Sequence, residues 1–427
     1  MLLEKVSLFS SRREFFLFLL FCLFILSYSL LIEFNNYKNL TRFDSNIVNA
    51  TVIKQYEKSK LTKKGKTKTY QVLKLRSDRG FSFYTTASKK LPPSKGKKLK
   101  LEVWAGEISF YEYMTSFYSW SKVEETYKTT TIKEELNTYI SQSHNNQEIA
   151  NIYQALYTAT PLSKDLQSTF STLGVSHLLA ISGFHLGVLS ALLFFLLKRP
   201  YSLLQDRFFP YRNSKADLFI MVALTLLSYL LFLDSPASLL RAFTMLIIGC
   251  VLYDRGMKII SMQTLLLTAI LLLVFFPRLL FSLGFWLSIS GVFYIFLFLI
   301  HFKHLSKIWQ FIIVPFWVYI LMLPYSLAIF GSFSIYHPLS IIWTSLFTLF
   351  YPLSIFLHLI GFGNIFDSVL SSFITLGGHA THIELSFSWL LLHIVLSLLS
   401  IWKKSFLWIL FLLNISILAY ALSTISL

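Results

Sequence analysis

Ten apolar runs separated by short polar breaks constrain this chain of 427 residues more than any other feature. They fall at 15–32, 177–197, 216–233, 237–253, 259–276, 279–300, 308–330, 339–360, 387–402 and 406–422. A helix of about 20 apolar residues spans a bilayer, and hydrocarbon selects helices because each one satisfies its own backbone groups. With 55% hydrophobic and only 14% charged residues, the composition excludes an ordinary soluble enzyme. The expected fold class is a polytopic α-helical membrane protein. The first run follows Lys5, Arg12 and Arg13 and leads into Glu33-Phe34-Asn35 without a small-residue cleavage site, so residues 1–45 are read as a retained anchor. Cys22 and Cys250 lie inside apolar runs and imply neither a disulfide framework nor a cysteine metal site.

The net charge of +17 is concentrated: residues 54–100 carry 16 Lys and Arg against Glu57 and Asp78. This window lies in a stretch, 46–120, whose period-two alternation and Gly/Pro turns predict strands at 47–56, 69–76, 81–86, 98–104 and 108–117. Turns are expected at Lys63-Lys64-Gly65, at Ser77-Asp78-Arg79-Gly80 and around Pro92-Pro93. Five short strands suit a small all-β domain. Its lysines are interleaved with the rings of Tyr56, Tyr70, Phe81, Phe83, Tyr84, Trp104, Phe110, Tyr111, Tyr113, Phe117, Tyr118 and Trp120, the pairing that holds single-stranded nucleic acid through phosphates and stacked bases. Strand alternation sends about half of these rings inward. Anionic lipid headgroups would attract the same lysines.

Residues 121–175 form a connecting region in which 133–156 has helical spacing; the apolar domain occupies 176–427. Basic residues in its short loops, Arg207, Arg212, Lys215, Arg255, Lys258, Lys303, Lys307, Lys403 and Lys404, are expected inside, which leaves the β domain outside. Ten simple crossings put Lys403 and Lys404 on the wrong side unless 361–386 re-enters or crosses. No motor motif is present: Lys60 stands where the first glycine of a phosphate-binding loop ending at Gly65-Lys66-Thr67 is required.

Polar residues inside the apolar domain are functional candidates, because membrane-depth polar groups need partners or water. The densest set is Gly174 to Gly187, G-V-S-H-L-L-A-I-S-G-F-H-L-G. On an unbroken helix His177 and His185 lie about 12 Å apart along the axis and about 80° around it, so they share no ion unless the helix breaks. Gly183 and Gly187 allow close helix approach, and Ser182-Gly183 equally suits a break lining a cavity. A second set is Asp234-Ser235-Pro236-Ala237-Ser238-Leu239-Leu240-Arg241. A buried Arg costs about 2.5 to 3.5 kcal/mol, so Arg241 requires a polar path, pairing with Asp234 or snorkelling to headgroups. His379 and His382 with Glu384 form a weak metal-like pair.

The run His177 to His185 resembles the ComEC family of competence (DNA-uptake) proteins, as do Ser238-x-x-Arg241-Ala242 and Gly284-Phe285-Trp286-Leu287-Ser288. Residues 331–352 are similar to a later block of that family, with His337-Pro338 where an Asn-Leu-like pair is usual. The resemblance implies an extracytoplasmic OB-like barrel for the β domain and passage of single-stranded DNA across the cytoplasmic membrane during natural transformation. It implies a channel path at His177, Ser182, Gly183, His185, Gly187, Ser238 and Arg241, with DNA contacts at Lys63, Lys64, Lys66, Lys68, Lys89, Lys90, Lys97 and Lys98. Its implied partners are a membrane-tethered DNA receptor, a separate nuclease and a cytosolic helicase-like ATPase, with homo-oligomerisation open. The metallo-β-lactamase-like domain of many relatives has no counterpart, since no HxHxD run occurs, so neither enzymatic activity nor a cofactor is expected. Two other functions use the same residues: transport of a small anion or lipid headgroup, and an intramembrane hydrolase.

Overall fold

The computed structural model describes residues 11–61, 67–88, 91, 94, 96–126, 132–179, 181–254, 261–377, 381–383 and 385–424. They divide into two compact units: residues 11–136 with 270–282, and residues 137–269 with 283–427.

The first unit opens with α1 (Arg12–Thr41), a single helix that runs nine residues beyond the apolar run. Strands β1 (Asn46–Leu61), β2 (Thr67–Ser77), β3 (Ser82–Ala87) and β4 (Lys98–Trp104) follow, then α2 (Phe110–Met114), β5 (Phe117–Tyr118) and β6 (Trp120–Thr126). The sheet order is β5-β3-β2-β1-β4-β6, with β5 parallel to β3 and the other pairs antiparallel. Since β5 and β6 flank Ser119, the two edges of the sheet belong to one continuous piece of chain, and the sheet curves into a half-barrel. Ser121 Oγ donates to Thr85 Oγ1 at 2.7 Å across that gap. Alternation sends Leu99, Leu101 and Val103 inward from β4, where they meet Leu73, Leu75, Phe81, Phe83 and Tyr113.

One expected strand is corrected. Residues 108–117 turn into α2, because Ser109 Oγ accepts from Glu112 N while the Glu112 carboxylate accepts from Ser109 N at 2.8 Å. That reciprocal cap satisfies two orphan helix donors and outweighs the alternation of the Phe-Tyr-Glu-Tyr run. The final strand, β6, extends the sheet past the stretch that alternation marked.

Arg278, in the 3-10 turn Pro277–Phe281, donates to both carboxylate oxygens of Glu33, at 2.8 and 2.6 Å, and its guanidinium lies 4.6 Å from the centre of the Tyr113 ring. Burial pushes the Tyr113 hydroxyl up to about 12. Arg278→Ala would leave the Glu33 carboxylate uncompensated. Breaking a buried pair costs 3–5 kcal/mol, and the 17–18% exposure of these side chains lowers the expected loss to about 2–3 kcal/mol. The thermal midpoint of the purified protein checks this, with Arg278→Lys expected to recover only part because a bidentate fork is lost.

The second unit is helical: α3 (Ile132–Ser143), whose first turn belongs to the other unit, α4 (Gln147–Thr158), α5 (Lys164–Thr172), α6 (Ser176–Leu179), α7 (Gly183–Phe208), α8 (Ser214–Phe232), α9 (Ala237–Asp254), α10 (Met262–Phe275), α11 (Leu283–His301) and α12 (Lys307–Phe330). The chain continues through β7 (Ser332–Phe333), α13 (Ser340–Leu359), α14 (Asp367–Leu376), β8 (Thr381–His382), α15 (Phe387–Leu399) and α16 (Lys404–Ser423). Among the described residues, seven helices are long and apolar enough to cross a membrane: α1, α7, α8, α11, α12, α13 with the turn before it, and α16. Helices α9, α10 and α15 are apolar but shorter, so three of the ten expected runs fall short of a full span.

Two stretches with helical spacing are broken, the second at the Ser182-Gly183 step where a break is one of the two expectations. Residues 133–156 divide at His144-Asn145-Asn146, where the Asn146 side chain caps α4 by accepting from Glu148 N at 2.8 Å. The run 177–197 divides between α6 and α7.

Within 361–386, the described residues pack back against α13 and β7. Ser332 pairs with His382 and Phe333 with Thr381, while the rings of Trp343 and Phe373 lie 4.8 Å apart. Nested pairs of this kind describe an out-and-back hairpin of α13 and α14 closed at its base by β7 and β8. The end of α12 and the start of α15 lie together at the base of that hairpin. The turns after α11 and α15 accordingly share one end of the unit: His301 Nε2 donates to the Ser400 carbonyl at 2.9 Å and Lys404 lies 5.3 Å over the Phe302 ring. Lys303, Lys307, Lys403 and Lys404 therefore gather together, as the charge pattern of the loops requires.

Candidate functional site at a broken helix

The break before α7 is built from its own sequence. Ser182 is the N-cap: its Oγ accepts from Phe184 N at 3.3 Å, and its N–H donates to His185 Nδ1 at 3.1 Å. Because Nδ1 accepts, the neutral His185 ring carries its proton on Nε2, a buried atom without a hydrogen-bond partner among the described residues. The ring is fully buried, 5.1 Å from Phe347 and 4.7 Å from Tyr351. His185 thus serves the helix start from within.

Helix α9 holds the broken segment in place. Ser238 Oγ donates to the Ile181 carbonyl at 2.7 Å, so a backbone acceptor freed at the break is satisfied by a side chain one helix away. One turn on, Arg241 is 5% exposed; it donates from Nε to Ser288 Oγ at 2.8 Å and from Nη1 to the Met245 sulfur at 3.2 Å. No carboxylate pairs with it among the described residues, Asp234 included. The guanidinium packs against the first residue of α7: a Cβ on Gly183 would stand 2.9 Å from Arg241 Nη2 and from Ala242 Cβ. Only glycine admits this approach.

Ser182, Gly183, His185, Ser238 and Arg241 therefore converge, joined by Ser288. The three sequence elements, 174–187, 238–242 and 284–288, meet at one place. His177 sits exposed on the short helix α6, and its Nε2 lies 3.1 Å from Thr344 Oγ1. Gly187 is exposed with nothing close to its Cβ position, so of the glycine pair only Gly183 makes a close approach. Gly174, at φ +70°, lies under the buried His337 ring, which Tyr319 hydrogen-bonds at 3.0 Å. An apolar cavity of about 340 Å³ lies elsewhere, between Trp286, Leu287, Tyr325, Ile329 and Phe387.

On the half-barrel, Lys97 and Lys98 are exposed, and Lys98 pairs with Asp78 at 2.5 Å. Lys68 lies in β2. Lys63, Lys64, Lys66, Lys89 and Lys90, with the turns at Gly65 and Pro92-Pro93, lie outside the described residues, as do His379 and Glu384. Of the rings, Phe81, Phe83, Tyr113 and Phe117 form core, while Trp104, Tyr111, Tyr118 and Trp120 are exposed. Trp104 pairs with Trp120 across β4 and β6, ring centres 6.0 Å apart. Among the described residues no group of three or more His, Cys, Asp or Glu is arranged to hold a metal.

The fold is that of a many-helix protein with several long apolar helices, a polar helix break, a buried arginine and an N-terminal half-barrel sheet. A family model described as Competence protein matches residues 158–427, more than half of the chain. The chain belongs to the ComEC-type competence family, and membership gives it a role in DNA uptake. No curated protein and no solved structure matches it.

Proposed function

We propose that the chain conducts single-stranded DNA across the cytoplasmic membrane during natural transformation, as a channel and not as an enzyme. One observation carries the reading: a guanidinium without a carboxylate partner among the described residues is held against the N-terminus of α7. A helix N-terminus bears roughly half a positive charge, so Arg241 and α7 bring two positive ends together. An anion would relieve such an arrangement, and guanidinium forks and helix N-termini both suit phosphate. His177 and the open face around Gly187 would border the path.

The charge rule for short loops puts the Lys303 and Lys403 end inside and the half-barrel outside. The order in which its strands pair, with β3 beside β5, supports an OB-type barrel. There the lysines would gather the strand while Trp104, Tyr118 and Trp120 stack on bases. The +14 balance of residues 54–100 favours a polyanion over a small anion. A membrane-tethered receptor, a nuclease and a helicase-like ATPase would deliver, trim and pull the strand, and a homo-oligomer is compatible with the reading. Cells lacking the gene, given labelled duplex DNA, are expected to bind DNA at the surface yet show none in the cytoplasm. Undiminished arrival contradicts the reading.

A further inference from the structure

Away from the broken helix, the turn between α3 and α4 meets the tip of the α13–α14 hairpin in a second polar cluster. His144 Nδ1 lies 2.8 and 3.1 Å from the two carboxylate oxygens of Asp367, the first residue of α14. His358 Nδ1, in the last turn of α13, lies 2.7 Å from the Ser354 carbonyl oxygen. The two Nε2 atoms face each other at 3.0 Å. His144 and His358 are 7% and 6% exposed.

The tautomers follow from these partners. A carboxylate and a carbonyl oxygen only accept, so both Nδ1 atoms donate, and each neutral ring then presents a bare lone pair at Nε2. Two lone pairs pointing at each other across 3.0 Å repel unless a cation stands between them. We propose that His144 and His358 form a binding site for a divalent transition-metal ion of the zinc class, coordinated by the two Nε2 atoms. Nitrogens bound to one zinc ion at about 2.0–2.1 Å lie roughly 3.3 Å apart in tetrahedral geometry, so seating the ion asks for a few tenths of an ångström. The anchoring is that of metal-bound histidines, whose far nitrogen donates to a carboxylate or a backbone carbonyl. Asp367 is thus a positioning residue for His144, as the Ser354 carbonyl is for His358.

Two further observations mark the place. Gly363 packs on the ring of His358: a Cβ there would stand 2.7 Å from Cδ2 and 2.8 Å from Nε2, so only glycine lets the chain pass this close to the ring. Tyr153 stacks on His144 with ring centres 4.6 Å apart, and its hydroxyl is buried without a partner among the described residues. With two protein nitrogens, water fills the other positions and the ion is exchangeable. It would clasp the hairpin to α4.

The full-length protein in detergent, stripped with a chelator and then given zinc chloride, tests this. Wild type is expected to retain about one zinc per chain and to melt at a higher temperature with the ion than without it. His358→Gln, which keeps the volume and a polar tip, is expected to lose at least about 100-fold in affinity, and Asp367→Asn about 10- to 100-fold. Cobalt in place of zinc should give a visible absorption band marking nitrogen coordination. Zinc retention below stoichiometry with an unmoved melting temperature overturns the site and leaves a shared proton between the rings. Equal zinc retention by wild type and His358→Gln also overturns it, placing the metal elsewhere. The wild-type measurement is decisive even where a variant fails to fold.

Discussion

Arg241→Leu is expected to lower the arrival of DNA in the cytoplasm by at least about 100-fold, with protein abundance and surface-bound DNA unchanged. Leucine removes the guanidinium at the start of α7, and a phosphate entering an apolar passage then loses that fixed countercharge; losing a hydrogen bond to a charged group and leaving its partner unmatched is worth about 3 kcal/mol. Ser288 is the one oxygen acceptor that the change strands, and a serine hydroxyl readily turns to a helix carbonyl, so folding should survive. Arg241→Lys separates charge from shape. An ammonium retains the charge without the fork, so intermediate uptake is expected, whereas uptake equal to wild type in Arg241→Leu would make the arginine a packing residue. The measurement is a transformation assay that scores nuclease-protected intracellular strand separately from surface-bound duplex.

Replacing Lys54, Lys58, Lys74, Lys97, Lys98 and Lys100 together with Gln is expected to weaken binding of single-stranded DNA by the full-length protein in detergent by two orders of magnitude or more at low salt. Each lost phosphate contact removes about 0.7 from the slope of log affinity against log salt, so the slope should flatten by up to about 4. Lys98 and Lys100 count for less than the others, because Asp78 pairs with Lys98 at 2.5 Å and Glu124 and Glu125 each lie 3.9 Å from Lys100. Lys74 lies 5.2 Å over the Tyr84 ring, where a strand could contact charge and ring at once. A control, Trp120→Ala, should weaken binding with the salt slope unchanged, since stacking releases no counterions. Affinity and slope both equal to wild type in the sixfold variant would remove the half-barrel from DNA capture and point to lipid headgroups.

Much of the fold was legible wherever one periodicity acts alone. The apolar runs became helices, and β4 matched its expected bounds because Leu99, Leu101 and Val103 alternate cleanly against a core. Legibility failed where two local signals compete. At 109–112 a Ser-x-x-Glu cap overrode alternation, and at 182–185 Ser-x-x-His decided for the break over a continuous helix inside an apolar run. His144-Asn145-Asn146 carried an N-cap signal at Asn146 that split 133–156. The residues around the helix break were named from sequence, but the bond between Arg241 and Ser288 was not, since it joins positions 47 apart through helix packing. Nothing in the spacing of His144, His358 and Asp367 announces a cluster.

The amino-acid sequence alone determined that this chain is a many-helix protein with a basic β segment, because hydrophobic run length and charge density are properties of neighbouring residues. It also marked the competence-type polar motifs. Only tertiary structure decided that α13 and α14 fold back on themselves, that the guanidinium of Arg241 meets the start of α7, and that two histidines more than two hundred residues apart face each other. Contacts of that range depend on how helices pack, and packing is settled by the shape of whole surfaces, to which a local window of sequence is blind.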